Sequence, residues 1–158
     1  MPEEGLHPSA QRVVAVLESV GVIGPFREFA APTKTASDAA AALGCDVGAI
    51  ASTLVFMIDE QPVVVLKSGG SRIDIDRFCR LMNANEVRQA SPNEVKAATG
   101  QSIGGVSPVG WPQPLRTLID ASLAEFGRLW AACGTPNAVF ATSYDELRRI
   151  CRAEPVSL

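Results

Sequence analysis

Apolar runs alternate along this chain with short segments rich in glycine, proline and acid, and the spacing inside each run identifies the element. Val13, Val14, Val16, Leu17 and Val20 recur at helical intervals, which predicts a helix capped by Ser9, running to about Ser19 and stopped by Gly21. A short apolar stretch from Phe26 to Phe29 follows. Thr35, with Asp38 three residues on, then reads as the start of an alanine-rich helix that Gly44 ends. Its alanines allow close packing on a sheet, and its first turn presents unpaired N–H groups just after Lys34. Asp46 is placed to cap a single turn to about Ile50. Two continuous runs, Ser52 to Ile58 and Pro62 to Leu66, flank Asp59-Glu60-Gln61 and predict a hairpin. Because the runs do not alternate, both faces of that hairpin are expected to be covered.

The second half continues the pattern. Ser68-Gly69-Gly70-Ser71 is a strand-to-helix turn, and without the G-K-[ST] element it is no nucleotide-cradling loop. Asp74 caps a helix to about Met82, and a short strand lies near Glu86 to Arg88. Ser91-Pro92-Asn93-Glu94 opens a helix that Gly100 ends. Strands are expected at Arg116 to Asp120, Leu129 to Cys133 and Ala138 to Ala141, and Ser143 caps a last short helix. The result is one α/β domain over residues 1–158, with a mixed sheet and short helices around it.

Between the fourth helix and the next strand runs TGQSIGGVSPVGWP, Thr99 to Pro112, with four of the thirteen glycines and two of the eleven prolines. Gly104-Gly105 permits close backbone approach, while Ser107-Pro108 stiffens the second half of the loop. Such a loop suits main-chain N–H groups held in a fixed direction toward an oxyanion, a carboxylate or a phosphate. An ordinary surface turn has the same composition.

Composition narrows the chemistry. At 158 residues, 47% hydrophobic and 20% charged, the chain can bury a sizeable core. The polar N-terminus carries no signal-peptide pattern and no run is long enough to span a membrane, so a cytoplasmic protein is expected. Net charge is −3, against a broad grip on DNA; the basic residues Lys67, Arg72, Arg77, Arg80, Arg88 and Lys96 leave room for a local basic face. The four cysteines lack any C-x-x-C pair and are expected to be free thiols. The only histidine, His7, lies in a proline-flanked terminal segment. A Ser-His-Asp triad, a Cys-His pair and a His-rich metal site are thereby set aside, and no metal or cofactor is expected.

Several stretches together resemble the YbaK-type aminoacyl-tRNA deacylases, which include free-standing trans-editing proteins and the editing domain inserted in bacterial prolyl-tRNA synthetases. The matching segments are Thr35 to Ala40 with Leu43-Gly44, Ile50-x-x-Thr53-Leu54-Val55-Phe56, and Thr99-Gly100 with Ile103 to Pro108 and Gly110. Ile119-Asp120-x-Ser122-Leu123 and Asp145-Glu146-Leu147 complete them, over about residues 30 to 152. The resemblance implies a mixed, mostly antiparallel, barrel-like sheet flanked by short helices. It also implies hydrolysis of the ester that joins a mischarged amino acid to a tRNA 3′ end, assisted by the substrate's own ribose hydroxyl. The aminoacylated tRNA end is then the partner, with a synthetase or elongation factor as further partners.

The resemblance implies site residues too. Gly104, Gly105, Ser107 and Ser52 are the catalytic candidates; Lys34, Thr53, Lys67, Arg72, Val106, Pro108 and Asp120 are the substrate-binding ones. Ser107 is set to bond the substrate amine or water, or else to cap its own loop. Asp120 is set to hold the α-ammonium group or orient the loop, or else to be a strand-end carboxylate. Family enzymes carry a lysine where this chain has Ser52, and Lys34, Lys67 or Arg72 are the cations available to replace it. That departure keeps open a second reading, a non-catalytic module binding an aminoacyl or nucleotide end or a protein partner.

Overall fold

In a computed structural model, residues 6–33 and 35–158 are described. Helix α1 (Pro8–Ser19) packs Ala10, Val13, Val14 and Leu17 inward. It begins one residue before the expected cap: His7 takes that place, its Nδ1 accepting from Ser9 N at 3.1 Å. Pro8 fits the first helical position because the N–H it lacks has no intrahelical partner there. Strand β1 (Phe26–Glu28) leads to α2 (Ala36–Leu43), which Thr35 caps and Gly44 ends in left-handed geometry. A 3-10 turn at Val47–Ala49, capped by Asp46, delivers the chain into β2 (Ile50–Ile58).

Strand β2 returns as β3 (Gln61–Ser68) through a two-residue turn, Asp59 and Glu60, both at positive φ. That geometry matches the twist of the flanking strands, and Asp59 Oδ1 adds an external tie by accepting from Asn85 and Glu86 N–H. Helix α3 (Ile75–Leu81), β4 (Val87–Gln89) and α4 (Pro92–Thr99) come next, α4 starting with a complete capping box between Ser91 and Glu94. Then come β5 (Arg116–Asp120), a 3-10 segment (Ala121–Glu125), β6 (Leu129–Ala132), β7 (Ala138–Thr142), α5 (Tyr144–Cys151) and β8 (Glu154–Val156). The hydrophobic pattern does not announce β8, a three-residue strand whose pattern is mostly exposed.

All eight strands join one sheet in the order β1-β7-β6-β2-β3-β5-β8, with β4 attached to β2 off that path. β1–β7, β6–β7, β2–β3 and β2–β4 are antiparallel, whereas β2–β6, β3–β5 and β5–β8 are parallel. The central hairpin is covered on both faces. Ala51, Val55, Met57, Val64 and Leu66 join the main core with α1, Phe140 and Leu147, while Phe56, Ile58, Val63 and Val65 pack against Phe78 on the other side. A third cluster seats the small residues Ala39 and Ala40 of α2 on Ile50 and Trp130.

All four cysteines are free thiols. Burial pushes the Cys133 and Cys151 thiols up to about 12, so almost no thiolate is present at either near neutrality. Iodoacetamide at pH 8 should therefore leave Cys133 and Cys151 unmodified in the native protein and label them only after unfolding. Peptide mass mapping with and without denaturant reads the difference.

Candidate active site

Strand β2 is paired unevenly along its two edges. On one side β3 accompanies it from Ala51 to Ile58. On the other, β6 pairs only at Ile50 and Ala51, and β4 only from Phe56 to Ile58. Ala90 N, just past β4, donates to Val55 O at 3.0 Å. Residues two apart along a strand direct their main-chain groups to the same side, so Thr53 presents its N–H and C=O to this open edge. Its side chain adds a second unsatisfied group. Thr53 is only 9% exposed, and among the described residues its buried Oγ1 has no hydrogen-bond partner. A buried hydroxyl left alone costs about 1–3 kcal/mol, which marks this one as a group that a ligand or water would satisfy.

The open edge forms one wall of a cavity of about 240 Å³. Its apolar lining includes Val55, Ala90, Val95, Val106 and Ala138; its polar lining comes from Thr33, Thr35, Ser52, Thr53, Gln89 and Thr135. Ile103 and Gly104 close it from the glycine-rich loop. Among the described residues, no lining side chain is acidic, basic or a thiol. The described residues of the site therefore offer shape, hydroxyls and main-chain dipoles.

The glycine-rich loop is fastened by its own side chains. Gln101 accepts from Ser107 N at 2.7 Å through Oε1 and donates to the Val109 carbonyl through Nε2. Ser107, fully buried, donates its hydroxyl to the Val109 carbonyl at 2.6 Å, and Trp111 Nε1 donates to the Ser107 carbonyl. The two glycines have different jobs. Gly104 sits at φ 94° with open space around its Cα, and its N–H has no acceptor among the described residues. Gly105 N donates to the Ser102 carbonyl at 3.3 Å, and a Cβ there would meet the backbone of Thr135 at 2.5 Å. Gly105 thus locks the loop against the β6–β7 turn and has no free donor to aim outward.

Of the residues singled out from sequence, the cavity gathers Ser52, Thr53, Gly104 and Val106. Gly105 and Ser107 stand behind it in the loop, and Pro108 is buried there too, its carbonyl accepting from Cys151 Sγ. Arg72 is exposed and outside the lining, and Lys34 lies outside the described residues. Lys67 is directly opposite Ser52 across the hairpin, yet its ammonium donates to the Ser68 carbonyl at 2.8 Å and is not part of the lining. Burial lowers the Lys67 pKa, and Asp120 opposes that shift. Asp120 itself is 3% exposed and occupied: Oδ2 accepts from Ser68 N, and Oδ1 from both the N–H and the hydroxyl of Ser122. It ties the end of β3 to the turn after β5 and does not reach the cavity. Gln89, Val95, Thr135 and Ala138 are lining residues that sequence reasoning missed, because they are far apart in the chain and carry no motif.

The Aminoacyl-tRNA editing domain model matches residues 30–150. This chain belongs to the aminoacyl-tRNA editing domain family. The YbaK-type resemblance is thereby upheld, and the cavity lies inside the matched region. The YwhH protein of Bacillus subtilis, whose function is uncharacterized, is 32% identical over 121 residues, 76% of each chain. The proline–tRNA ligase of Solidesulfovibrio magneticus is 27% identical over 93% of this chain, which spans only 28% of that enzyme. Among solved structures, a candidate trans-editing enzyme for prolyl tRNA synthetase superposes with TM-score 0.91 at 40% identity, covering 98% of both chains. The hypothetical protein APE2540 matches with TM-score 0.83 at 28% identity, over 92% of this chain and 97% of its own.

Within this editing domain, replacing Asp120 by Ala should cost about 2–3 kcal/mol in urea denaturation, since Ser68 N–H loses its buried charged acceptor. Asp120→Asn, which keeps an acceptor oxygen, should cost less. The folded fraction of either variant should bind substrate as the wild type does.

Proposed function

We propose that this protein acts in trans on charged tRNA and hydrolyses the ester between a wrongly attached, small, uncharged amino acid and the 3′-terminal ribose. The observation that carries the reading is the small cavity between the open edge of β2 and Gly104, within the family-matched region of the chain. The named proline–tRNA ligase relatives make proline-accepting tRNA the first carrier to test.

The roles follow from the lining. Val55, Val95, Val106 and Ala138 enclose the amino-acid side chain, and a charged one would be stripped of water there without compensation. The Thr53 hydroxyl and main chain hold the α-ammonium group. Gly104 N–H polarises the ester carbonyl and takes up charge as the tetrahedral intermediate forms. Ser52, at the β2 wall, faces the ribose. Water oxygen attacks the carbonyl carbon, the bond to the ribose oxygen breaks, and that oxygen receives the proton. Among the described residues no titratable side chain lines the cavity, and the neighbouring ribose hydroxyl relays the proton. An aminoacyl ester is activated enough for positioning and electrostatics to carry the remaining barrier.

Release of radiolabelled amino acid from a panel of aminoacyl-tRNAs tests the reading. At least one mischarged species should be cleared by wild type. Thr53→Val should lose about tenfold in kcat/KM, the scale of one hydrogen bond, and Gly105→Ala should abolish release because its Cβ displaces the loop from Thr135. Failure across the panel would sink the proposal. The pH profile supplies a second check. kcat/KM should lack any limb from an enzyme histidine or carboxylate and respond only to the substrate's amino group, near pH ~8. A bell centred on two enzyme groups would contradict the assignment.

A further inference from the structure

Next to the cavity lies a larger groove of about 1040 Å³, and the two share a wall made of Ile103, Thr135 and Pro136. Arg12 of α1 and Lys96 of α4 line it, with Glu28 of β1 as the only acid among the described residues. Arg12 Nη2 donates to Ser9 Oγ and Lys96 Nζ to the Gly100 carbonyl, both at 3.1 Å, and neither cation meets a carboxylate among the described residues. Arg88, Arg116 and Arg149, by contrast, all face glutamates. The Glu28 carboxylate accepts from the His7 main-chain N–H. His7, set aside from sequence as a terminal residue, is thus part of the groove. In a chain of net charge −3, two cations against one acid among the groove's described residues form a local attraction for anions.

We propose that this groove holds the single-stranded RNA leading up to the terminal nucleotide, with Arg12 and Lys96 facing its phosphates. The inference rests on the deacylase reading above and gives that site its polymer track. Three observations support it. The first cavity is below the ~300 Å³ at which ordinary ligand pockets begin, so it takes an aminoacyl group while the attached chain stays outside. Continuity comes from the shared wall, where Ile103 is 53% exposed and supplies an apolar ridge against which a base can lie. Finally, the groove's excess charge is of the sign a phosphate backbone needs.

Fluorescence anisotropy with an RNA hairpin ending in an unpaired 3′ CCA, measured over a range of salt, tests the track. Arg12→Gln/Lys96→Gln should weaken binding and make the slope of log K against log salt shallower by about 1.4, from two phosphates at ~0.7 each. The charge-matched pair Arg77→Gln/Arg80→Gln on α3 should bind as wild type. No loss in the groove pair, or equal loss in both pairs, overturns the assignment. Hydrolysis of an aminoacyl-adenosine ester, too short to reach the groove, should be alike in wild type and the groove pair. Binding that depends on Arg12 and Lys96 without any ester hydrolysis would keep the track and remove the deacylase reading. Intact hydrolysis with binding indifferent to both cations would remove the track alone.

Discussion

The site depends on a break in strand pairing. β2 runs through the middle of the sheet between β6 and β3, and a strand in that position ordinarily has neighbours along both edges. Here β6 leaves after Ala51 and β4 arrives only at Phe56, so the main chain around Thr53 reaches the cavity unpaired. Unpaired backbone inside a protein is costly unless something else satisfies it. The fold tolerates the break because β3 holds the other edge along its length and because apolar clusters grip β2 from both faces. Rigidity on three sides gives the fourth its fixed geometry.

That arrangement gives this editing domain a preset polar wall along β2. Among the described residues the cavity is lined by hydroxyls, amides and aliphatic groups, and the fold holds their dipoles in place. The loop from Gln101 to Trp111 shows the same economy: Gln101, Ser107 and Trp111 commit their polar groups to each other and to the main chain. Together they hold Gly104 and Val106 at the cavity wall.

Much of this was legible from sequence. Caps at Thr35, Asp46, Asp74, Ser91 and Ser143 and the glycine stops at Gly44 and Gly100 obey local rules, and the helices fall where those rules put them. The hairpin of β2 and β3 was equally plain, since continuous β-branched runs have few alternatives. The site was legible in part. Gly104, Val106, Ser52 and Thr53 were reachable through motif, but a motif does not separate a residue that lines a wall from one that braces it. Asp120 and Ser107 illustrate the difference, because only their partners reveal that their polar atoms are already engaged. Strand β8 and the parallel β2–β6 pair were hidden for another reason: each is short, and long-range pairing leaves no trace in local pattern.

Gly105 lies backbone to backbone against Thr135 and Pro136, so the aperture between the loop and the β6–β7 turn is set by main-chain atoms. Side chains deeper in the hollow are then free to drift in size over evolutionary time while the doorway keeps its dimensions. Descendants of such a scaffold could exchange one preferred residue for another through a few interior substitutions, with the entrance and its alignment inherited unchanged.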